Sequence, residues 1–367
     1  MASYRNKRGI FGLRDVSRRQ RFGNWTAKNE VWLPPSPFGE AHPFGYFSGG
    51  APGIRSTVLR IDYSNDTATS SERGPLSTTR YTHAATGNAS SGYIGGGQPS
   101  SEKSTVDRVD YFNDTAIAVA KGSLSVPQAF LAATGNSNFG YFGAGNEPTS
   151  ISSVSRIAYA NDTAAASPKG PLSSARWRLA ATGNASFGYF GGGATGSGTV
   201  LSTVDRIDYS NDTAMAAIKG SLSLIRFGMR GATGNASFGY FGGGSSNNNN
   251  ISTVDRIEYA NDTATASPKG PLSTAKNYLA ATGNISFGYF AGGYSITTVD
   301  RVDYSNDTVD ASPKGPLNYE RYSFAGSSSQ ANAITTPTIF PSVSPRPVIP
   351  QGTDFGYMIG GEVSGSS

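Results

Sequence analysis

The carboxylates of this chain come in copies. The string D-R-I-D-Y-S-N-D at Asp205–Asp212 recurs with small changes, and its last aspartate returns as Asp66, Asp114, Asp162, Asp262 and Asp307. Several carboxylates in one short string suggest calcium. Here, however, they are spread along a strand and a turn, whereas a calcium loop gathers about six to eight oxygens around one point. Arg–Asp ladders between neighbouring copies are the expectation instead. The chain has two histidines, His42 and His83, and no cysteine. That excludes thiolate metal sites, Cys nucleophiles, disulfides and a His-rich metal centre. His83 stands alone in one copy and reads as structural. No G-x-S-x-G, H-E-x-x-H or P-loop is present. Because the carboxylates are repeated equivalents, no pair is singled out for acid–base work. The expectation is a protein that is not an enzyme, with no catalytic residue, cofactor or metal.

The elements that carry these copies form one long repeat. The Gly-Tyr step of F-G-Y-F-G-G-G falls at Tyr46, Tyr93, Tyr141, Tyr189, Tyr240, Tyr289 and Tyr357, a period of about 48 residues until the last interval. Over 367 residues with 47 Gly, 19 Tyr and 19 Phe, this composition is β-rich: small residues for turns, aromatics for packing. A continuous repeat argues for one closed array rather than separate domains.

One unit, residues 227–273, shows the logic. A short strand of small residues (228–233) leads to the Gly234-Asn235 turn, since both residues tolerate φ > 0. Phe238–Phe241 is the second strand, ended by Gly242-Gly243-Gly244, where no side chain fits or φ is unusual. Thr253–Tyr259 alternates as a third strand. After the Asn261-Asp262 turn, Thr263–Ala266 reads as the fourth strand, and P-K-G-P-L-S (268–273) as a Pro/Gly break into the next unit. Four antiparallel strands in under about 50 residues make one propeller blade.

This pattern resembles the kelch repeat. The matching residues are Gly242-Gly243, Thr253-Val254, Glu258, Asp262-Thr263 and Pro271-Leu272 with Lys276, and the likeness runs from Phe44 to Gly361. One departure stands out: the Trp that follows D-T in kelch blades is Ala68, Ala116, Ala164, Ala214, Ala264 or Val309 here. The resemblance implies an all-β, kelch-like β-propeller. Seven G-Y blocks favour seven four-stranded blades. The last blade would be built from 322–327 and Phe355–Gly361 and completed by 25–36, so that N- and C-terminal segments close the ring. Six blades with an extra C-terminal hairpin is the alternative. Residues 23–367 form the propeller, and 328–354 is a Ser/Thr/Pro-rich insertion.

Two regions are candidates for binding. Residues 1–22 form a basic arm with Arg5, Lys7, Arg8, Arg14, Arg18, Arg19 and Arg21, while residues 31–367 are nearly neutral. The arm lacks the apolar core of a secretory signal, and the chain has no apolar run long enough for a transmembrane helix. Neither membrane insertion nor nucleic-acid binding is expected. The loops that follow the glycines vary between copies, and such variation maps to one face of a repeat array. They supply Arg55, Gln98, Lys103, Asn146, Glu147, Thr195, Asn247, Asn249 and Tyr294 as recognition candidates. The repeated N-x-[ST] triplets read as turn chemistry rather than glycosylation sites. Gly/Asn/Ser/Thr-rich, Cys-free repeats with a basic arm are similar to the kelch-like repeat proteins of marine bacteriophages. That resemblance implies a virion structural or adhesion protein, assembled in the host cytoplasm. Its arm would bind other virion proteins, and its loops would face neighbours or a host-surface glycan or protein. A cellular kelch-type adaptor and a polysaccharide-active enzyme are the alternatives.

Overall fold

The computed structural model describes residues 43–147 and 149–330. Among them, six four-stranded antiparallel sheets form a β-propeller. The strands of blade two are typical: Ala84–Gly87 innermost, then Ser91–Gly95, Val106–Asp110 and Val119–Lys121. Blades three to six repeat this order from Ala132, Ala180, Ala232 and Ala280. Each inner hairpin turns on an asparagine. In the turn after Gly234, Asn235 Oδ1 accepts the N–H groups of Ser237 and Phe238, and Asn88, Asn136, Asn184 and Asn284 do the same. The N-x-[ST] asparagines of these hairpins are therefore turn chemistry.

Blade one settles the count. Its second to fourth strands are Phe44–Ser48, Val58–Asp62 and Ser71–Arg73, and its innermost strand is Ala325–Ser328, paired Tyr46↔Ser327 and Ser48↔Ala325. The expected seven blades are thus not what is found. The strand read as the start of a seventh blade completes the first one instead. Once Ala325–Ser328 occupies the inner edge of Phe44–Ser48, the ring is shut at six. The segments invoked for the seventh blade, 25–36 and Phe355–Gly361, lie outside the described residues, as do the basic arm and residues 331–354.

Closure is also visible at the axis. Thr82 N donates to Ser323 O, Ser323 N to Tyr278 O, Tyr278 N to Gly228 O, Gly228 N to Arg178 O, Arg178 N to Phe130 O, and Phe130 N back to Thr82 O. One residue from each blade takes part, so the backbone forms a continuous hydrogen-bonded hoop. Each member has positive φ: 59, 57, 58, 69, 52 and 54° for Thr82, Phe130, Arg178, Gly228, Tyr278 and Ser323. Such a conformation is uncommon for residues other than glycine. Here each one donates to its neighbour in the hoop.

The fourth strand also departs from expectation. It is Ser267–Lys269 rather than Thr263–Ala266. Proline is tolerated there because this is the outermost, three-residue edge strand. The innermost strand of the same blade is only Ala232–Gly234.

Both faces of every blade are covered by its neighbours, so the core is six clusters, one per junction. Three repeated devices hold each junction. First, the F-G-Y-F tyrosine stacks on the tyrosine of the next blade's D-Y-x-N turn. The six ring pairs lie 4.6–5.0 Å apart and within 20° of parallel, an arrangement worth about 0.5–1.5 kcal/mol beyond area burial. Second, the N-D-T aspartate accepts from three groups of the preceding blade. Asp212, for example, takes Tyr141 Oη at 2.9 Å, Arg156 Nη1 at 2.7 Å and Lys169 Nζ at 3.1 Å. Asp66 links the last and first blades, accepting from Tyr289 and Arg301 with Lys314 Nζ at an ion-pair distance of 3.9 Å. The expected inter-blade ladders are therefore present. Third, the K-G glycine lies against the D-T-A loop of the next blade. A Cβ on Gly170 would stand 1.8 Å from Ala214 O, so only glycine fits.

The fold is a β-propeller, but its blades lack the aromatic residue that follows D-T in kelch blades. The residue after D-T is exposed in all six copies, Val309 to 58%. The place of the missing Trp is thus a rim position, and the tyrosine stacks supply the aromatic packing instead.

Candidate functional site: the variable-loop face and its axis

At one end of the strands lie the constant Asn turns. At the other lie the variable loops and the segments that enter each blade. Each entering segment runs from a P-L-S, S-L-S or P-L-N triplet to a buried polar residue, a cation in five of the six blades, then on to the hoop. Ser173 N and Oγ donate to Asp205, and Arg176, fully buried, pairs with the same carboxylate at 2.9 Å. Arg80–Asp107, Arg226–Asp255 and Lys276–Asp300 repeat the pair with no exposure. Two blades vary it. Blade three has Gln128 and Ser155, both buried, with Ser125 Oγ 2.6 Å from Ser155 Oγ and Gln128 Nε2 donating to Ala144 O. Cation and carboxylate have been exchanged together for neutral groups. Blade one keeps Arg321 but has Leu59 in place of the aspartate. Arg321 turns instead to Tyr319 Oη, Thr57 Oγ1 and the Thr57 carbonyl, and burial pushes its pKa down to about 10. These cations are structural.

The loop candidates are spread over all six blades. Gln98 pairs by its backbone with Tyr81, and its Nε2 reaches Tyr81 Oη at 3.2 Å. Lys103 bridges to Gln128. Arg55 lies 4.3 Å over the Tyr319 ring. Asn146 and Glu147 belong to an extended ribbon pairing with Ser150 and Thr149. Thr195 O accepts Trp177 Nε1, and its hydroxyl lies 2.8 Å from Ser197 Oγ. Asn247 and Asn249 belong to a small ribbon whose turn residues, Asn247 and Asn248, have φ of 48 and 63°. Tyr294, 62% exposed, leans on Tyr322. Arg5, Lys7, Arg8, Arg14, Arg18, Arg19 and Arg21 lie outside the described residues.

The loops surround residues that the sequence reading passed over. Directly after the five buried cations and Gln128 come Tyr81-Thr82, Ala129-Phe130, Trp177-Arg178, Phe227-Gly228, Asn277-Tyr278 and Tyr322-Ser323. The hoop holds the second of each pair at the axis. Backbone bridges join Tyr81 to Gln98, Trp177 to Ala194, Phe227 to Ser245 and Tyr322 to Ala51, tying the first member of four of the six pairs to the variable loops. The result is not six-fold. Arg178 lies 3.8 Å over Trp177 and within 5.4 Å of Phe130 and Tyr278, and Phe130 meets Trp177 edge-on at 5.3 Å.

Blade five breaks the pattern further. Its entry carries one extra residue. Arg226 precedes its strand threonine, Thr233, by seven positions, whereas Arg80, Gln128, Arg176 and Lys276 precede Thr86, Thr134, Thr182 and Thr282 by six. The surplus makes a bulge at Met229-Arg230-Gly231, with Arg230 at φ 42° and Gly231 N folding back on Met229 O. Arg230 thereby borders an axial cavity of ≈ 30 Å³, room for a water or two. His83 and the strand alanines also line it. His83 is fully buried, with Nε2 2.9 Å from Ser48 O. Burial, with the charges of Arg80 and Arg230, holds its pKa well below the usual 6.5 and keeps it neutral. The aligned spacing from cation to threonine was the signal that could have found Arg230.

The fold and this face define a β-propeller whose repeated framework is constant and whose asymmetry gathers at one end of the axis. No protein-family model matches the chain, and comparison with curated proteins gives no match. Among the described residues, no cluster of three or more His, Asp or Glu is placed to hold a metal ion, and no helix is long and apolar enough to cross a membrane.

Proposed function

We propose that the chain is a non-enzymatic interaction and structural propeller. In this reading it is a virion component anchored to other virion proteins by its basic arm, residues 1–22. Its variable-loop face is presented to neighbouring proteins or to a host-surface glycan or protein. The supporting observation is the division of the molecule. Clamps, stacks and turns repeat from blade to blade, whereas Trp177, Arg178, Phe130, Tyr278, Arg230 and the loops around them do not. A β-propeller suits a binding or structural role. Repeated parts stabilise the ring, and the unrepeated ones are left free to recognise a ligand.

Two measurements test it. Mass spectrometry of purified particles from the source should find the full chain and lose it when residues 1–22 are deleted; a soluble pool never associated with particles would refute the virion reading. Purified propeller should bind host cells or particle proteins, and Trp177→Ala with Arg178→Ala should abolish that binding. Binding unchanged in the double variant would move recognition off this face. Turnover of a polysaccharide by the purified chain would replace the non-enzymatic reading altogether.

A further inference from the structure

We propose that the axial cavity beneath the Arg230 bulge is a carboxylate site. It would receive the acidic group of whatever ligand the variable face takes, and so it rests on that reading of the face. Four observations carry it. Arg230 exists at the axis only because blade five has an inserted residue, and that insertion costs it a left-handed backbone. Among the described residues its guanidinium donates once, through Nη2 to the His83 carbonyl at 3.1 Å, while Nε and Nη1 are buried with no partner there. A second cation, Arg178, stands close by among aromatic rings, 3.8 Å over Trp177. Among the described residues neither arginine has a carboxylate within ion-pair distance, although the Asp-paired cations Arg80, Arg176, Arg226 and Lys276 lie in the same entering segments.

Buried guanidinium donors without acceptors are expensive, and a charged acceptor satisfies them best. The cavity, ≈ 30 Å³, is walled by small residues such as Ala85, Ala133, Ala181 and Ala281. A carboxylate, a small group of single charge, matches the one arginine at its border, which lacks an ion-pair partner among the described residues. The aromatic residues beside Arg178 would then meet the body of the ligand.

Full-length protein is titrated with acetate, glucuronate, glucose and inorganic phosphate by calorimetry and by ligand-observed NMR. Saturable binding of acetate and glucuronate, with none by glucose, is expected. Glucuronate binding tighter than acetate would show that the face also holds the sugar. Arg230→Gln should weaken both by about tenfold or more, the loss expected for a charge-assisted hydrogen bond. Arg178→Gln is a second variant that leaves the bulge intact and should lower affinity less. No saturable carboxylate binding by the wild type, unchanged affinity in Arg230→Gln, or phosphate binding as tight as acetate would each overturn the site. If carboxylates fail while the partner is still captured in a Trp177-dependent way, only the oxyanion site is wrong. If face variants leave partner capture untouched, the reading of the face is wrong as well.

Discussion

Blade three contains a natural version of an experiment that can be performed on blade four. Asp205 accepts Ser173 N, Ser173 Oγ and Arg176 Nη2, and Arg176 donates further to the Thr203 and Phe190 carbonyls. Neither residue has any exposure. Asp205→Ser alone leaves a buried guanidinium facing a hydroxyl, and stranding one member of a buried pair costs about 3–5 kcal/mol. Arg176→Gln alone strands the carboxylate at a similar cost, eased by the two Ser173 hydrogen bonds. The double variant reproduces Ser155 and Gln128, which bond Ser125 Oγ and the Ala144 carbonyl and leave Gln128 Oε1 as a neutral buried acceptor without a partner among the described residues. Replacing a whole buried pair is often close to neutral, so the double variant should lie within about 1–2 kcal/mol of wild type. The coupling energy is then at least about 2 kcal/mol, well above the resolution of a double-mutant cycle in urea. If the double variant is no more stable than either single one, the idea that cation and carboxylate were exchanged as a unit is wrong.

Further predictions concern the junctions between blades. Gly170→Ala drives a methyl group into the Ala214 carbonyl and should cost about 2 kcal/mol or more, whereas Gly196→Ala meets only Ser150 at ordinary contact distance and should stay within about 0.5 kcal/mol in the same thermal melts. Tyr189→Phe keeps the stack on Tyr259 but removes the hydroxyl that donates to Asp262 at 2.9 Å; a loss of about 1–2 kcal/mol is expected, and no loss would show that the stack alone holds the tyrosine. The clamp also sets acid behaviour. Burial would raise the carboxyl pKa of Asp162, Asp212 and Asp262, but hydrogen bonds from tyrosine and lysine and the neighbouring cations outweigh it and hold all three below 3.8. Their stabilisation is complete above the unfolded value and is lost as pH falls through the lower folded values. Urea midpoints should therefore drop steeply below about pH 4, and Asp212→Asn should make that drop shallower.

The blade was legible because its signals are local. Asn235 turns, the Gly243 and Gly244 conformations (φ 63 and 99°) and the third-strand alternation each need only a few neighbours in sequence. The number of blades was not local. The strand at 325–328 was visible, but its partner was sought downstream at Phe355, when it lies far upstream at Phe44. The fourth strand was missed because Pro268 reads as a break, and an outer edge strand tolerates proline. The axial residues were hidden for another reason. They follow the P-L-S, S-L-S or P-L-N of each copy and read as connector. Their chemistry arises only when the hoop brings six connectors to one point, where a single inserted residue such as Arg230 stands out from the other five blades.

The way the ring is shut has a consequence for synthesis. Ser48 and Ala325, partners in the first blade, are separated by 277 residues. While the intervening blades emerge from the ribosome, the uncharged F-G-Y-F-S strand can pair on one edge with Val58–Asp62, but its other edge waits for Ala325–Ser328, the last of these strands to be made. Pairing over so long a separation is slow, and waiting edges invite strands from other molecules. A neighbouring nascent chain offers the same Ala325–Ser328 segment. Two chains that exchange these strands would close each other's rings, so crowded synthesis favours interlocked dimers over single propellers. A chain truncated before Ala325 would keep an open rim that only another copy can fill.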